Sequence, residues 1–210
     1  MVVTQNETEE GLTRSQRRAS RTRRRLLTAA LELFGGKGFD STTIEDITER
    51  ADVGKGTFYR HFASKNEVMH ALVEDAIDHM VHRMCGGEAY ASLEVAILHM
   101  VDAHVAFYMD RPPQFLLLQE RLLARIQLDG QDLLEEPYSR YLNHVRQEVL
   151  DFLPGLSDPV KIRRLARGLL AFVSLFMPFT MMAMDRQEIL NSIDPLRRVF
   201  AARAAAFLTP

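Results

Sequence analysis

Within seven residues, Lys55 to His61, the chain gathers a lysine, a threonine, a tyrosine, an arginine and a histidine in the run KGTFYRH. Each of these side chains can donate a hydrogen bond, and the lysine and arginine carry lasting positive charge. Donors and cations without a carboxylate base or an activated nucleophile suit binding to a polyanion, through its phosphates and base edges, rather than bond making. Nowhere does the sequence carry a nucleophile elbow, a phosphate loop, a zinc-protease histidine pair or a dinucleotide glycine pattern, and no enzyme activity or cofactor is expected. A second set of chemically able residues, His79, His82 and Cys85, has metal-ligand types at spacings of three. At ~100° per helical residue the third lies well around the helix from the first, so one helix cannot easily supply all three, and no metal is expected.

Charge marks where a polyanion would be met. The formal net charge of −2 hides an asymmetry: Gly11 to Lys65 holds 12 basic and 6 acidic residues, while Asn66 to Pro210 holds 14 and 19. That split implies a basic module attached to a neutral or acidic one. The single cysteine excludes an internal disulfide framework, and the polar, acidic stretch Met1 to Leu12 lacks the apolar run of a secretory signal, so a cytoplasmic protein is expected.

The elements that must position these residues read as helices throughout, with no clean strand alternation, and the expected class is all-α with about nine helices. Residues 1–18 read as a disordered basic arm. Arginines at 14, 17, 18, 21, 23, 24 and 25 lead into a first helix whose stripe is Leu27, Ala30, Leu31 and Phe34 and which Gly35 and Gly36 end. A short second helix starts at STTIEDI, where Thr42 or Thr43 can cap with Glu45 or Asp46 three residues on. A three-residue turn, Asp52 to Gly54, leads into a third helix over Lys55 to Phe62, and two short helices joined this tightly make a helix-turn-helix. Such a motif leads into the major groove with the first residues of its second helix. Thr57, Tyr59, Arg60 and His61 then fall on the exposed arc, Gly56 leaves room for the DNA backbone, Lys55 neutralises a phosphate, and Phe58 and Phe62 hold the helix from behind. Ser64 with Glu67 opens a long helix with the stripe Met69, Leu72, Val73, Ala76, Met80 and Met84. Further helices are expected near 88–110, 112–128, 131–153, 159–184 and 187–208.

From Thr22 to about Leu72 the chain resembles the tetracycline-repressor (TetR) family of bacterial transcriptional regulators, in the run RRRLLTAALELFGGKGFDSTTIEDITERADVGKGTFYRHFASKNEVMHAL, of which GTFYRHFASK is the specific core. The resemblance implies an all-helical homodimer. Each subunit would have a helix-turn-helix head, placed at 19–65, and a helical effector-binding and dimerisation body, placed at 66–210. By position it implies that Lys55, Gly56, Thr57, Tyr59, Arg60 and His61 form the recognition helix, that Thr42 and Thr43 cap the helix before it, and that Lys65 contacts a phosphate. The turn departs from the family's usual glycine and serine by carrying Asp52 and Gly54, so no hydroxyl contact is available at 54. Arg14, Arg17, Arg18 and Arg21 are candidates for phosphate or minor-groove contact.

The body must be read on its own residues. Leu93, Ile97, Met100, His104, Phe107 and Tyr108 share one helical face on which His104 is the polar member, and a histidine so placed is more often a hydrogen-bonded core residue than a ligand contact. Phe115, Leu118, Met177 and Met181 complete the candidate effector set, since methionine suits a pliable apolar pocket. Leu196, Val199, Phe200 and Phe207, with the small Ala201, Ala202, Ala204, Ala205 and Ala206, are the candidate dimer interface. The 17 uncharged residues Gly168 to Met184 contain Pro178 and read as a buried helix rather than a membrane span. The expected function is a repressor released from a palindromic operator by a small hydrophobic effector; a constitutive DNA-binding dimer and a membrane-associated sensor are the alternatives.

Overall fold

A computed structural model describes residues 13–85, 90–129, 138–156, 158–181 and 185–209, without the side chains of 122–129, 176–181 and 186. Among the described residues the chain forms nine helices and no strand: α1 (Arg14–Lys37), α2 (Ile44–Arg50), α3 (Lys55–Tyr59), α4 (Lys65–Met84), α5 (Leu93–Asp110), α6 (Pro112–Asp129), α7 (Tyr138–Leu150), α8 (Pro159–Met181) and α9 (Arg186–Leu208). Packing divides the chain into two compact units between Leu72 and Val73, so the head takes in the first two turns of α4 rather than closing at Lys65.

In the head, α1 packs on α2 and α2 on α3. Two expectations need correction here. Arg14 to Arg18 belong to a helix and not to an arm, because Thr13 caps α1 with a full box: its hydroxyl accepts from Gln16 N, and Gln16 Oε1 accepts from Thr13 N at 2.8 Å. Residues 1–12 lie outside the described residues. At its other end α1 runs past Gly35 and Gly36 to Lys37 and stops at Gly38, whose φ of 86° is open to glycine and whose N–H donates to Phe34 O. The buried face is Leu26, Ala29, Ala30 and Phe34, while Leu27 and Leu31 are half-buried.

The second unit is built around α5, which packs against α6, α7, α8 and α9. Its sequence LEVAILHMVDAHVAFYMD is apolar nearly all round, which is what a helix covered on most sides requires. In α4, Met69, Leu72, Val73, Ala76, Met80 and Met84 are all buried, as the helical period predicts. Among the described residues no helix is long and apolar enough to cross a membrane; Met182 to Met184 of the candidate segment lie outside them.

Candidate nucleic-acid interface

The second helix of the head is set by its cap. Thr43 Oγ1 accepts from Asp46 N, and the Asp46 carboxylate accepts from Thr43 N at 2.7 Å, so the box uses Asp46 and not Glu45. Lys37 of α1 closes on the same carboxylate at 2.6 Å, and this contact, followed by the Thr43 bonds, holds the Asp46 carboxyl well below the usual carboxylate range. Thr42 turns inward: it is buried and its hydroxyl donates to Gly38 O at 2.7 Å. Of the two threonines, Thr43 is therefore the exposed one.

The recognition segment is shorter than its sequence pattern. Regular helix ends at Tyr59, with Arg60 as the C-cap, so Arg60 and His61 continue as a turn that leads to Phe62. Phe58 and Phe62 are buried with ring centroids 6.0 Å apart and anchor the segment as expected. Tyr59 is 55% exposed and set edge-on to Phe58. Gly54 caps α3 without a side-chain bond, and a Cβ at Gly56 would meet nothing within 4 Å, so the surface beside it is open. Arg60 Nη2 donates to Thr57 Oγ1 at 2.9 Å, a contact that orders two of the arc's donors relative to each other. Lys55 pairs with Glu45 of α2. Their bond lowers the Glu45 pKa and raises that of Lys55. The His61 imidazole is held below its ordinary value by burial first and then by Arg60 and Arg23, whose guanidinium lies 5.2 Å over the Phe62 ring.

Lys65 stands apart from this arc. Its ammonium donates to Phe39 O at 2.6 Å, Thr42 O at 2.8 Å and Asp40 O at 3.4 Å, and it sits 4.3 Å from the Phe39 ring centroid. Three donors meet three carbonyls, so the side chain clasps the loop between α1 and α2. The turn before α3 holds a feature that the residue types alone do not show. Asp52 adopts φ 50°, the left-handed region, and Arg25 donates both to its carbonyl at 3.1 Å and to its carboxylate at 3.0 Å. Asp52 thus reaches by pairing a conformation that glycine would adopt unaided.

In the body, Met100, His104, Phe107, Tyr108, Phe115 and Leu118 are all buried, while the side chains of Met177 and Met181 lie outside the described residues. His104 Nδ1 lies 2.6 Å from Met100 O and Nε2 lies 2.9 Å from Tyr141 Oη. Burial pushes the His104 pKa down to about 4 and that of Tyr141 far up. The neutral ring therefore donates from Nδ1 and accepts the Tyr141 hydroxyl at Nε2. No sequence signal points to Tyr141, which is 37 residues away. Of the dimer candidates, Leu196, Val199 and Phe207 are exposed, as is Leu175 on α8. Phe200 is half-buried within its own subunit, 5.2 Å from the Phe172 ring and tight over Gly168, where a Cβ would come within 3.3 Å of it. Among the described residues no group of three His, Cys, Asp or Glu could hold a metal ion; Cys85 lies 3.7 Å from His144 Nδ1 instead.

Comparison with known proteins ties this geometry to a family. The model of bacterial regulatory proteins of the tetR family matches residues 26–72. The HTH-type transcriptional regulator TcmR of Streptomyces glaucescens is 53% identical over 53 residues, 25% of this chain and 24% of that protein. The negative transcriptional regulator IcaR of the biofilm operon of Staphylococcus epidermidis is 30% identical over 57 residues, 27% of this chain and 31% of that protein. The matched stretch thus spans only about a quarter to a third of these relatives, and the family model's match, residues 26–72, falls within the head. Over 89% of the chain the fold is like that of a solved structure, Salmonella enterica GusR, which superposes with a TM-score of 0.64 at 18% identity and is itself covered to 95%.

Proposed function

Residues 26–72 belong to the tetR family of bacterial regulatory proteins, and from that premise we propose that the chain is a dimeric DNA-binding transcriptional regulator, a repressor released from a palindromic operator by a small hydrophobic effector. The observation that carries the proposal is the arc of α3 and the turn after it. Lys55, Thr57, Tyr59, Arg60 and His61 lie there around an open Gly56, with Phe58 and Phe62 buried behind. Thr43, at the start of α2, is the matching exposed cap. Donors ordered this way suit base edges and phosphates of the major groove. The protein would act in the cytoplasm, on the nucleoid.

A palindrome calls for two heads about 34–36 Å apart. The exposed apolar row Leu196, Val199 and Phe207 on α9, with Leu175 on α8, is the surface that a symmetry mate would cover. Val199 is the better probe of that interface, since Phe200 already packs inside its own subunit. Val199→Glu is expected to sediment as a monomer and to lose the palindromic site while keeping its helical content. A dimeric Val199→Glu protein would move the interface elsewhere.

The effector is proposed to enter among Met100, His104, Phe107, Tyr108, Phe115 and Leu118, with Met177 and Met181 as further candidates, and to bias α4, which runs unbroken from Lys65 to Met84. To release most of the bound protein it must favour the DNA-incompetent state by several kcal/mol. A second reading, a constitutive DNA-binding dimer, is favoured by one observation. Met100, His104, Phe107 and Phe115 are close to fully buried, and both His104 nitrogens have partners, so a ligand must displace neighbours already in place. Selection of bound duplex from random sequence, repeated with ligands that raise the melting temperature, separates these readings. No selected sequence would defeat the DNA proposal, and an affinity untouched by every stabilising ligand would leave the constitutive dimer.

A further inference from the structure

The arginines that open the chain's basic module sit on a helix. Arg18, Arg21 and Arg25 recur at i, i+3 and i+7 of α1, one face over about 10 Å of axis. They line a cleft of ≈ 840 Å³ whose other wall is the recognition segment, with Thr57, Arg60 and His61. The one carboxylate among its lining residues is Asp52, and Arg25 already holds it. The Arg18 and Arg21 guanidinium groups have no carboxylate partner among the described residues. We propose that this cleft is a phosphodiester seat: Arg18 and Arg21 of α1, with Arg60 and His61 opposite, take backbone phosphates of the same duplex whose groove α3 enters.

The inference rests on the DNA-binding proposal and extends its footprint beyond the helix-turn-helix. Two physical points support phosphate over the minor groove. An α-helix with its side chains is about 10–12 Å across, whereas the minor groove is about 6 Å wide. Arginines carried on a regular helix therefore stay at the level of the strands, while an extended arm could thread to the groove floor. The His61 pKa is lowered by burial first, and Arg60, which lines the same cleft, adds to that, so the cleft already disfavours a further positive charge. A concave, open site with unopposed guanidinium groups fits a group that is anionic, multidentate and itself exposed.

The test uses the full chain with Arg18→Ala and Arg21→Ala together, and a companion with both changed to Lys. Binding is measured against salt on the selected duplex and on scrambled A·T-rich and G·C-rich duplexes. The alanine pair is expected to weaken all three alike and to lower the slope of log affinity against log salt by about 0.9 for each phosphate no longer neutralised. The lysine pair should retain most of the slope, because a point charge suffices for a phosphate. Both positions are exposed on α1, and circular dichroism checks that the helix survives. An unchanged slope in an alanine pair whose wild type does bind would overturn the cleft and leave the DNA reading standing. A weakening confined to A·T-rich duplexes would overturn it in favour of minor-groove binding. A wild type that binds no duplex removes the DNA reading and the cleft with it.

Discussion

Replacing Lys65 by methionine keeps the aliphatic stem and removes the ammonium that clasps the loop between α1 and α2. The two short bonds, to Phe39 O and Thr42 O, are part-buried, and the third, to Asp40 O, is long. At about 1 kcal/mol for each short bond and roughly 0.5 kcal/mol for the cation over the Phe39 ring, the expected loss is about 2.5 kcal/mol. With a urea dependence of about 1–3 kcal/mol per molar, the unfolding midpoint of the head should fall by about 1 M with little change in slope. Urea titration followed by far-ultraviolet circular dichroism measures this, and a salt titration of DNA affinity completes the experiment. If Lys65 is a clasp, stability falls and the salt slope of the folded protein holds. If it is the phosphate contact that the family resemblance implies, Lys65→Met keeps its urea midpoint and loses about one unit of slope. That second outcome would refute the reasoning from geometry, because it requires the ammonium to exchange three carbonyls for a phosphate on binding.

Two further outcomes follow from buried or strained groups. His104 titrates near 6.5 when unfolded and near 4 in the fold. The unfolded chain therefore takes up a proton that the folded one refuses. The contribution of His104 is intact above pH 6.5 and falls by ~1.4 kcal/mol per pH unit from there to about 4. His104→Gln should flatten this acid limb in unfolding measured from pH 7 to 4, and an unaltered limb would mean that other groups set it. At the turn, Asp52→Gly is expected to stabilise an Arg25→Ala protein by about 1 kcal/mol and the parent by less, because Arg25 already supports the left-handed backbone at Asp52. Equal effects in the two backgrounds would show that the pair is not coupled to the turn.

The order of helices, the caps at Thr43 and Ser64 and the six-residue buried stripe of α4 are legible in the sequence, because each depends on residues within a turn or two. Hydrophobic period and capping chemistry act over three or four positions, and no distant partner is needed to satisfy them. The fold alone decided what the polar side chains do. Lys65 found carbonyls 23 to 26 residues away, Arg25 found Asp52 at 27, and His104 found Tyr141 at 37. A cation or a hydroxyl is served by whichever acceptor arrives within about 3 Å, and that is settled only when helices pack. The same holds for direction around a helix. Composition marks both Val199 and Phe200 as apolar, yet Gly168 on α8 leaves room for Phe200 to turn inward, and Val199 is left 61% exposed. Likewise the arginines before α2 are basic in any conformation; only the Thr13 cap, which makes them helical, and the facing wall of α3 turn a charged run into a cleft.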